Sequence, residues 1–185
     1  MNWISWVIII AVILILVIWF VASYNRLISG SVRVDNSWAQ IDVQLKKRFD
    51  LIPNLVSTVK GYAAHEQAVL TDVTKYRSEA MSSKTPAEAM SSNAKLSTAI
   101  TNLFATAEQY PALKADQHFL TLQNQLQNIE DKIAVSRQFY NDTAMKYNES
   151  VMHFPTNIVA SIFHFERKQY FEIPEADKSV PEVKF

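Results

Sequence analysis

The chain has 185 residues with 18 basic and 18 acidic side chains, so no basic field points to nucleic acid and no acidic tail stands out. It has no cysteine, which excludes disulfides, thiolate zinc sites, thiol catalysis and a lipoprotein anchor together. Its two glycines, Gly30 and Gly61, are too few for phosphate loops or hairpin turns, and with 49% apolar residues they favour a helical protein.

From Met1 to Asn25 no side chain is charged. Crossing a bilayer as a helix needs about 20 apolar residues, and this stretch supplies them. Trp3, Trp6, Trp19 and Tyr24 lie near its two ends, where amphipathic rings favour the membrane interface. A cleaved signal peptide is the rival reading, with Val21-Ala22-Ser23 as its small-residue site. Against it, the stretch has no Lys or Arg before an apolar run that is long for a signal peptide. Arg26, Arg33, Lys46, Lys47 and Arg48 all follow the span, so the positive-inside bias leaves the N-terminus outside and the long C-terminal part in the cytoplasm.

Residues 33–82 carry an apolar seam of Val34, Trp38, Ile41, Leu45, Ile52, Leu55, Val59, Tyr62, Val69, Val73 and Tyr76, spaced alternately four and three as helix packing requires. Arg48 and Glu66 occupy its two vacant positions. Pro53 removes the hydrogen bond to the Phe49 carbonyl and should kink the helix, yet the seam keeps its phase across it. The spacing therefore predicts one bent helix. "SSKTPAEAMSS" (82–92) breaks the pattern, with Thr85 as N-cap and Pro86 as first helical residue. The next helix carries Leu96, Ile100, Leu103, Ala107 and Tyr110 and ends before Pro111. A final long helix spans about Ala115 to Met152, its stripe running from Phe119, Leu122, Leu126, Ile129 and Ile133 to Tyr140, Tyr147 and Val151. Phe154-Pro155 opens a short apolar segment, and from Glu166 the tail mixes charge with proline and reads as extended or disordered.

The predicted fold is all-α: a single N-terminal transmembrane helix followed by an elongated antiparallel bundle of three long helices and one short. Residues 1–30 form the anchor and junction, 31–165 the cytoplasmic bundle, and 166–185 the C-terminal tail.

Chemistry-bearing patterns are sparse. Carboxylate-bridged metals in bundles need inward Glu-x-x-His pairs on two helices, and none is present. Glu149 with His153 supplies only two ligands, His65-Glu66 are sequence neighbours, and His118 and His164 stand alone. No zinc-protease, nucleophile-elbow or phosphate-loop motif occurs. Tyr62, Tyr76, Tyr140 and Tyr147 fall at seam spacing and read as core. No catalytic residue, cofactor site or metal site is assigned, and an enzyme is not expected.

Taken together, "YNRL" (24–27), "SWAQIDVQLKKRFDLIPNLVSTVKGYAAHE" (37–66), "EQYPALKADQHFLTLQNQL" (108–126), "IEDKIAVSRQFYND" (129–142), "YNESV" (147–151) and "FPTNIVA" (154–160) resemble the LemA family. The likeness runs from the anchor to about Phe171. It departs at "SIFHFERKQYF", which has no glycine where such chains often carry one, and this leaves the local turn open. The resemblance implies a bacterial inner-membrane protein with a cytoplasmic helical bundle and no established biochemical activity. It also implies association with membrane quality control, such as HtpX-type proteases or TPM-domain proteins.

Helix lengths carry the reading further. A first bundle helix of 50 residues would reach about 75 Å, and a second of some 25 residues would return about halfway. Antiparallel pairing across the 83–86 turn then sets Arg48 opposite position 120, past the turn at Tyr110-Pro111. The membrane-proximal seam, from Val34 to about Ile52, is left without a partner in its own chain, and the 155–165 segment falls at the end far from the anchor. Exposed apolar stripes are rare unless something covers them. The expectation is a homo-oligomeric scaffold packed through Trp38, Ile41 and Leu45, with Arg48 paired to Asp42 or Asp50 of a neighbouring copy to fix the register. In the alternative, Arg48 reaches from the seam's edge into water. Two further readings are a monomeric adaptor for a membrane protease or quality-control complex, using its bundle or tail, and a metal-binding bundle.

Overall fold

A computed structural model of the chain describes residues 3–171. Those residues form six helices and no strand: α1 (Trp3–Tyr62), α2 (Gln67–Ser82), α3 (Pro86–Ala107), α4 (Pro111–Lys114), α5 (Gln117–Met152) and α6 (Thr156–Ile162). They divide into two compact units, 40–137 and 3–39 with 138–171, and α1 and α5 contribute to both. The all-α fold is as the sequence predicts. The part of the predicted tail from 172 to 185 lies outside the described residues.

Within 40–137, Ile52, Leu55 and Val59 of α1, Leu70 and Val73 of α2, Leu96, Ile100 and Leu103 of α3, Leu113 of α4, and Phe119 and Leu126 of α5 make one core. On α1, α2 and α3 these residues repeat every three or four positions, and on α5 they lie seven apart with Leu122 between them, so each of these helices gives one stripe to the centre. Thr85 caps α3 as expected: its hydroxyl accepts from the Glu88 N–H at 3.2 Å while the Glu88 carboxylate accepts from the Thr85 N–H at 3.4 Å. The start of α5 is held in a related way, the Asp116 carboxylate accepting from the Phe119 N–H at 2.9 Å.

One element differs from the prediction in a way that matters. The expected helix over 33–82 is two helices, because the chain leaves the helical path between Tyr62 and Gln67. Ala63 remains buried in the core, and Glu66 accepts a hydrogen bond from the Tyr110 hydroxyl at 2.9 Å. The charged interruption at Glu66 therefore marks a turn. With α1 ending at Tyr62, α5 starts beside it, its Asp116 accepting from the Tyr62 hydroxyl at 2.8 Å, and the two helices run antiparallel. Arg48 consequently faces Glu130, not position 120.

α1 is one helix through Pro53. The Phe49 carbonyl, which Pro53 cannot serve, accepts instead from Arg77 Nε on α2 at 2.8 Å. This satisfies the orphaned acceptor from a neighbouring helix.

In the unit formed by 3–39 and 138–171, Leu27 packs with Val159 and Ala160 of α6, flanked by Trp19, Phe20, Tyr24, Val151 and Phe165. α6 thus lies against the end of the apolar stretch of α1, and its predicted place far from the anchor is corrected. Gly30 sits inside α1, where a Cβ would come within 3.0 Å of the Tyr147 ring, so its missing side chain admits that ring. α6 ends where the sequence lacked a glycine. His164 takes the left-handed conformation, with φ 55°. The Phe165 N–H donates to the Ala160 carbonyl at 2.9 Å and the His164 N–H to that of Ser161 at 3.4 Å. Those two bonds define a Schellman turn, which favours glycine at that position.

Candidate functional site

Two polar constellations stand out from the apolar packing, one in each unit. In 40–137 the seam residue Arg48 is 1% exposed. Its Nη1 donates to Glu130 Oε2 at 2.9 Å and its Nη2 to Ser97 Oγ at 2.9 Å, while Ser97 Oγ donates to Glu130 Oε1 at 3.5 Å. A guanidinium presents donors in a fixed planar fork, so α1, α3 and α5 are tied at one point. Burial pushes the Arg48 pKa down; the Glu130 charge opposes this and that of Arg137 adds to it. Burial also lowers Arg137, again opposed by Glu130. The Gln44 Oε1 is buried without a hydrogen-bond partner. The arrangement holds a fixed cation against a carboxylate and a hydroxyl already engaged by it, which is the chemistry of a structural lock.

Arg48 is therefore not the unpaired seam residue expected from the sequence. Val34, Ile41 and Leu45 are buried and Trp38 is half-buried within this chain, which corrects the expectation of an uncovered membrane-proximal seam. Asp42 and Asp50, the candidate partners on a neighbouring copy, are exposed. Pro53 is exposed on α1.

The second constellation binds an extended segment of the chain itself. Asn148 on α5 is buried; its Nδ2 donates to the Lys168 carbonyl and its Oδ1 accepts from the Lys168 N–H, both at 2.8 Å. One segment further on, Asn141 treats Phe171 the same way, at 3.0 and 2.8 Å. The Tyr140 hydroxyl donates to the Gln169 carbonyl at 3.0 Å. The geometry has a simple basis. Seven residues of helix rise about 10.5 Å and three extended residues span about 10 Å, so two asparagines two turns apart meet every third peptide group. Phe171 stacks on Trp38 at 5.5 Å and meets the Tyr140 ring edge-on at 5.3 Å, while Lys168 Nζ pairs with Asp35 at 2.9 Å. Burial raises the pKa of Tyr140, with a further contribution from Asp35. A cleft beside the strap is lined by Asn148, Met152, Arg167, Lys168, Gln169 and Tyr170. Over 166–171 the tail read as extended or disordered is an extended strap bound to α5.

The histidines do not converge. His65, His118, His153 and His164 are all exposed, and among the described residues no three His, Asp or Glu side chains gather as metal ligands. Ser97 has Arg48 and Glu130 as its side-chain partners, and the Glu130 carboxylate to which it donates is itself engaged by the Arg48 guanidinium.

A model of the LemA family matches residues 37–185. The chain belongs to the LemA family. Protein LemA of Metamycoplasma hominis is 26% identical over 163 residues, covering 86% of this chain and 73% of its own length. Magnetosome protein MamQ 1 of Paramagnetospirillum magneticum is 24% identical over 184 residues, covering 85% of this chain and 68% of its own. Magnetosome protein MamQ of Magnetospirillum gryphiswaldense is 23% identical with the same coverage. Within the matched region lie both constellations, Arg48 with Ser97 and Glu130, and Asn141 with Asn148. The sequence reading missed Ser97, Glu130, Arg77 and the two asparagines. Three of these, Glu130, Asn141 and Asn148, stand inside the blocks that carry the family resemblance. Membership of this family and an apolar helix long enough to cross a bilayer mark a membrane-associated protein whose family is not known for catalysis.

Proposed function

We propose that this LemA-family chain is a non-enzymatic interaction protein, tethered to the inner membrane by the first part of α1 and acting as an adaptor for a membrane protease or quality-control complex, including TPM-domain proteins. The observation that carries the reading is where its apolar surface lies. The most apolar window of α1 is wholly unburied, while the seam from Val34 through Ile52 is closed within the chain. A stripe exposed over the length of a span suits lipid, and a closed seam leaves the adaptor reading ahead of assembly through Trp38, Ile41, Leu45 and Arg48. Exposed Arg26, Arg33, Lys46 and Lys47 after the span support a cytoplasmic C-terminal part.

Light scattering of the detergent-solubilised protein, paired with affinity capture from solubilised membranes, tests this. The adaptor reading expects a monomer that loses its partner when 166–185 is deleted. A stable oligomer whose size changes on Arg48→Leu would instead restore the scaffold.

A further inference from the structure

α6 carries three distinct edges. At 3.6 residues per turn, Val159 and Ala160 form the edge packed on Leu27, Asn157 and Ser161 form a polar edge, and Ile158 and Ile162 form a third. That third edge is apolar and open: Ile158 is 49% and Ile162 56% exposed. Phe154, just before the helix, is 79% exposed, and Phe163, just after it, 45%. The Phe163 ring also meets α1, its centroid lying 4.6 Å from that of Tyr24 and 5.9 Å from that of Phe20. Those two residues stand in the last turns of the uncharged stretch, two and six positions before Arg26, the first charged side chain of the chain.

We infer that α6 lies in the membrane–water interface, with its Ile158–Ile162 edge and Phe154 in the lipid and its Asn157–Ser161 edge in water. The inference rests on the anchor reading above. If α1 crosses the bilayer, contact with Phe20 and Tyr24 fixes the height of α6 at the boundary where the span ends. A helix at that height with one apolar and one polar free edge has the pattern of an in-plane interfacial element. Aromatic side chains favour the same zone, and Trp19, Phe20, Tyr24, Phe163 and Phe165 cluster here. The exposed apolar edge continues, through Phe163, the lipid-facing surface of α1. The bilayer interface is therefore its occupant, and α6 and α1 together give the chain a second point of contact that restrains how the helix can tilt and rotate.

The cysteine-free chain allows a direct test. Nitroxide labels are placed singly through Ile13→Cys, Asn157→Cys, Ile158→Cys and Ile162→Cys. The full-length protein is reconstituted in phosphatidylcholine–phosphatidylglycerol vesicles, with helicity checked by circular dichroism. Collision rates with oxygen, which concentrates in lipid, are compared with those of a water-soluble nickel chelate. Labels at 13, 158 and 162 are expected to favour oxygen several-fold, and the label at 157 to favour the chelate. If 158 and 162 favour the chelate while 13 stays in lipid, the interfacial helix is wrong and the anchor stands. If 13 favours the chelate too, both fall. Low collision with either reagent at 158 and 162 would mean a protein covers that edge, which also overturns the inference.

Discussion

The two units use polar side chains in opposite ways. In 40–137 a charge is taken out of water and matched to one carboxylate and one hydroxyl, Arg48 with Glu130 and Ser97. In 3–39 with 138–171 neutral amides on a helix hold the peptide groups of an extended strap, Asn148 at Lys168 and Asn141 at Phe171. A buried ion pair is costly to assemble and more costly to break on one side only, because the orphaned charge stays buried. An amide pair costs less to leave unmade, but it gives the strap's N–H and C=O groups the partners that a sheet or helix would otherwise provide. The first device locks three helices at a point; the second fixes a segment that has no regular structure of its own.

The largest effect is expected from removing the counter-charge. Glu130→Leu should destabilise the protein by about 3 kcal/mol, toward the low end for an orphaned buried charge, because the Glu130 side chain is 38% exposed. Arg48→Met with Glu130→Met should recover most of that loss. Urea unfolding in detergent, followed by circular dichroism, reads both. If the single and double variants are equally weakened, Arg48 is not a locked charge.

The strap should respond locally. Asn148→Ala removes two hydrogen bonds from a buried site and should cost roughly 1–3 kcal/mol of local stability. The expected result is faster tryptic cleavage after Arg167 and Lys168 with the helical signal intact. Unchanged cleavage would mean that the rings of Trp38, Tyr140 and Phe171 hold the strap without the asparagines.

A smaller coupling should link Arg77 to Pro53. Arg77→Met should cost on the order of 1 kcal/mol, because the Phe49 carbonyl loses its donor. In a Pro53→Ala background the helix supplies that donor itself, so the same change should cost less; a double-mutant cycle of urea midpoints measures the difference. Additive effects would contradict the compensation.

The smallest effect is a gain. His164→Gly should stabilise the turn after α6 by roughly 0.5–1 kcal/mol, since glycine occupies the left-handed region without a Cβ penalty. A small rise in melting temperature is the readout, and a fall would mean the His164 side chain contributes a contact that outweighs its backbone strain.

Much of this fold was legible in the sequence, and the misplaced partner of Arg48 traces to one position. The seam phase, the Thr85 cap, the stop before Pro111 and the stripe of α5 follow from local rules that act within a few residues. The turn at 63–66 does not. No proline or glycine stands in it, and the seam continues in phase from Tyr62 to Val69, seven positions apart. What ends α1 is tertiary: Ala63 in the core and Glu66 held by Tyr110. Missing that turn misplaced the start of α5, and with it the partner of Arg48. Glu66, a charge at a seam position, was the available signal. Asn141 and Asn148 were invisible for another reason. Polar residues off an apolar stripe ordinarily face water, and nothing local announces that a strap will return over them.

Arg48 is satisfied inside its own chain, and cross-linking within one polypeptide puts this to the test. Arg48→Cys with Glu130→Cys in one polypeptide, treated in membranes with a short bifunctional thiol reagent, should give an internally cross-linked monomer. Membranes that carry the two single variants on separate chains should give no cross-linked dimer. Dimers from the mixed chains, with no internal product from the double variant, would contradict the account and place the seam between copies.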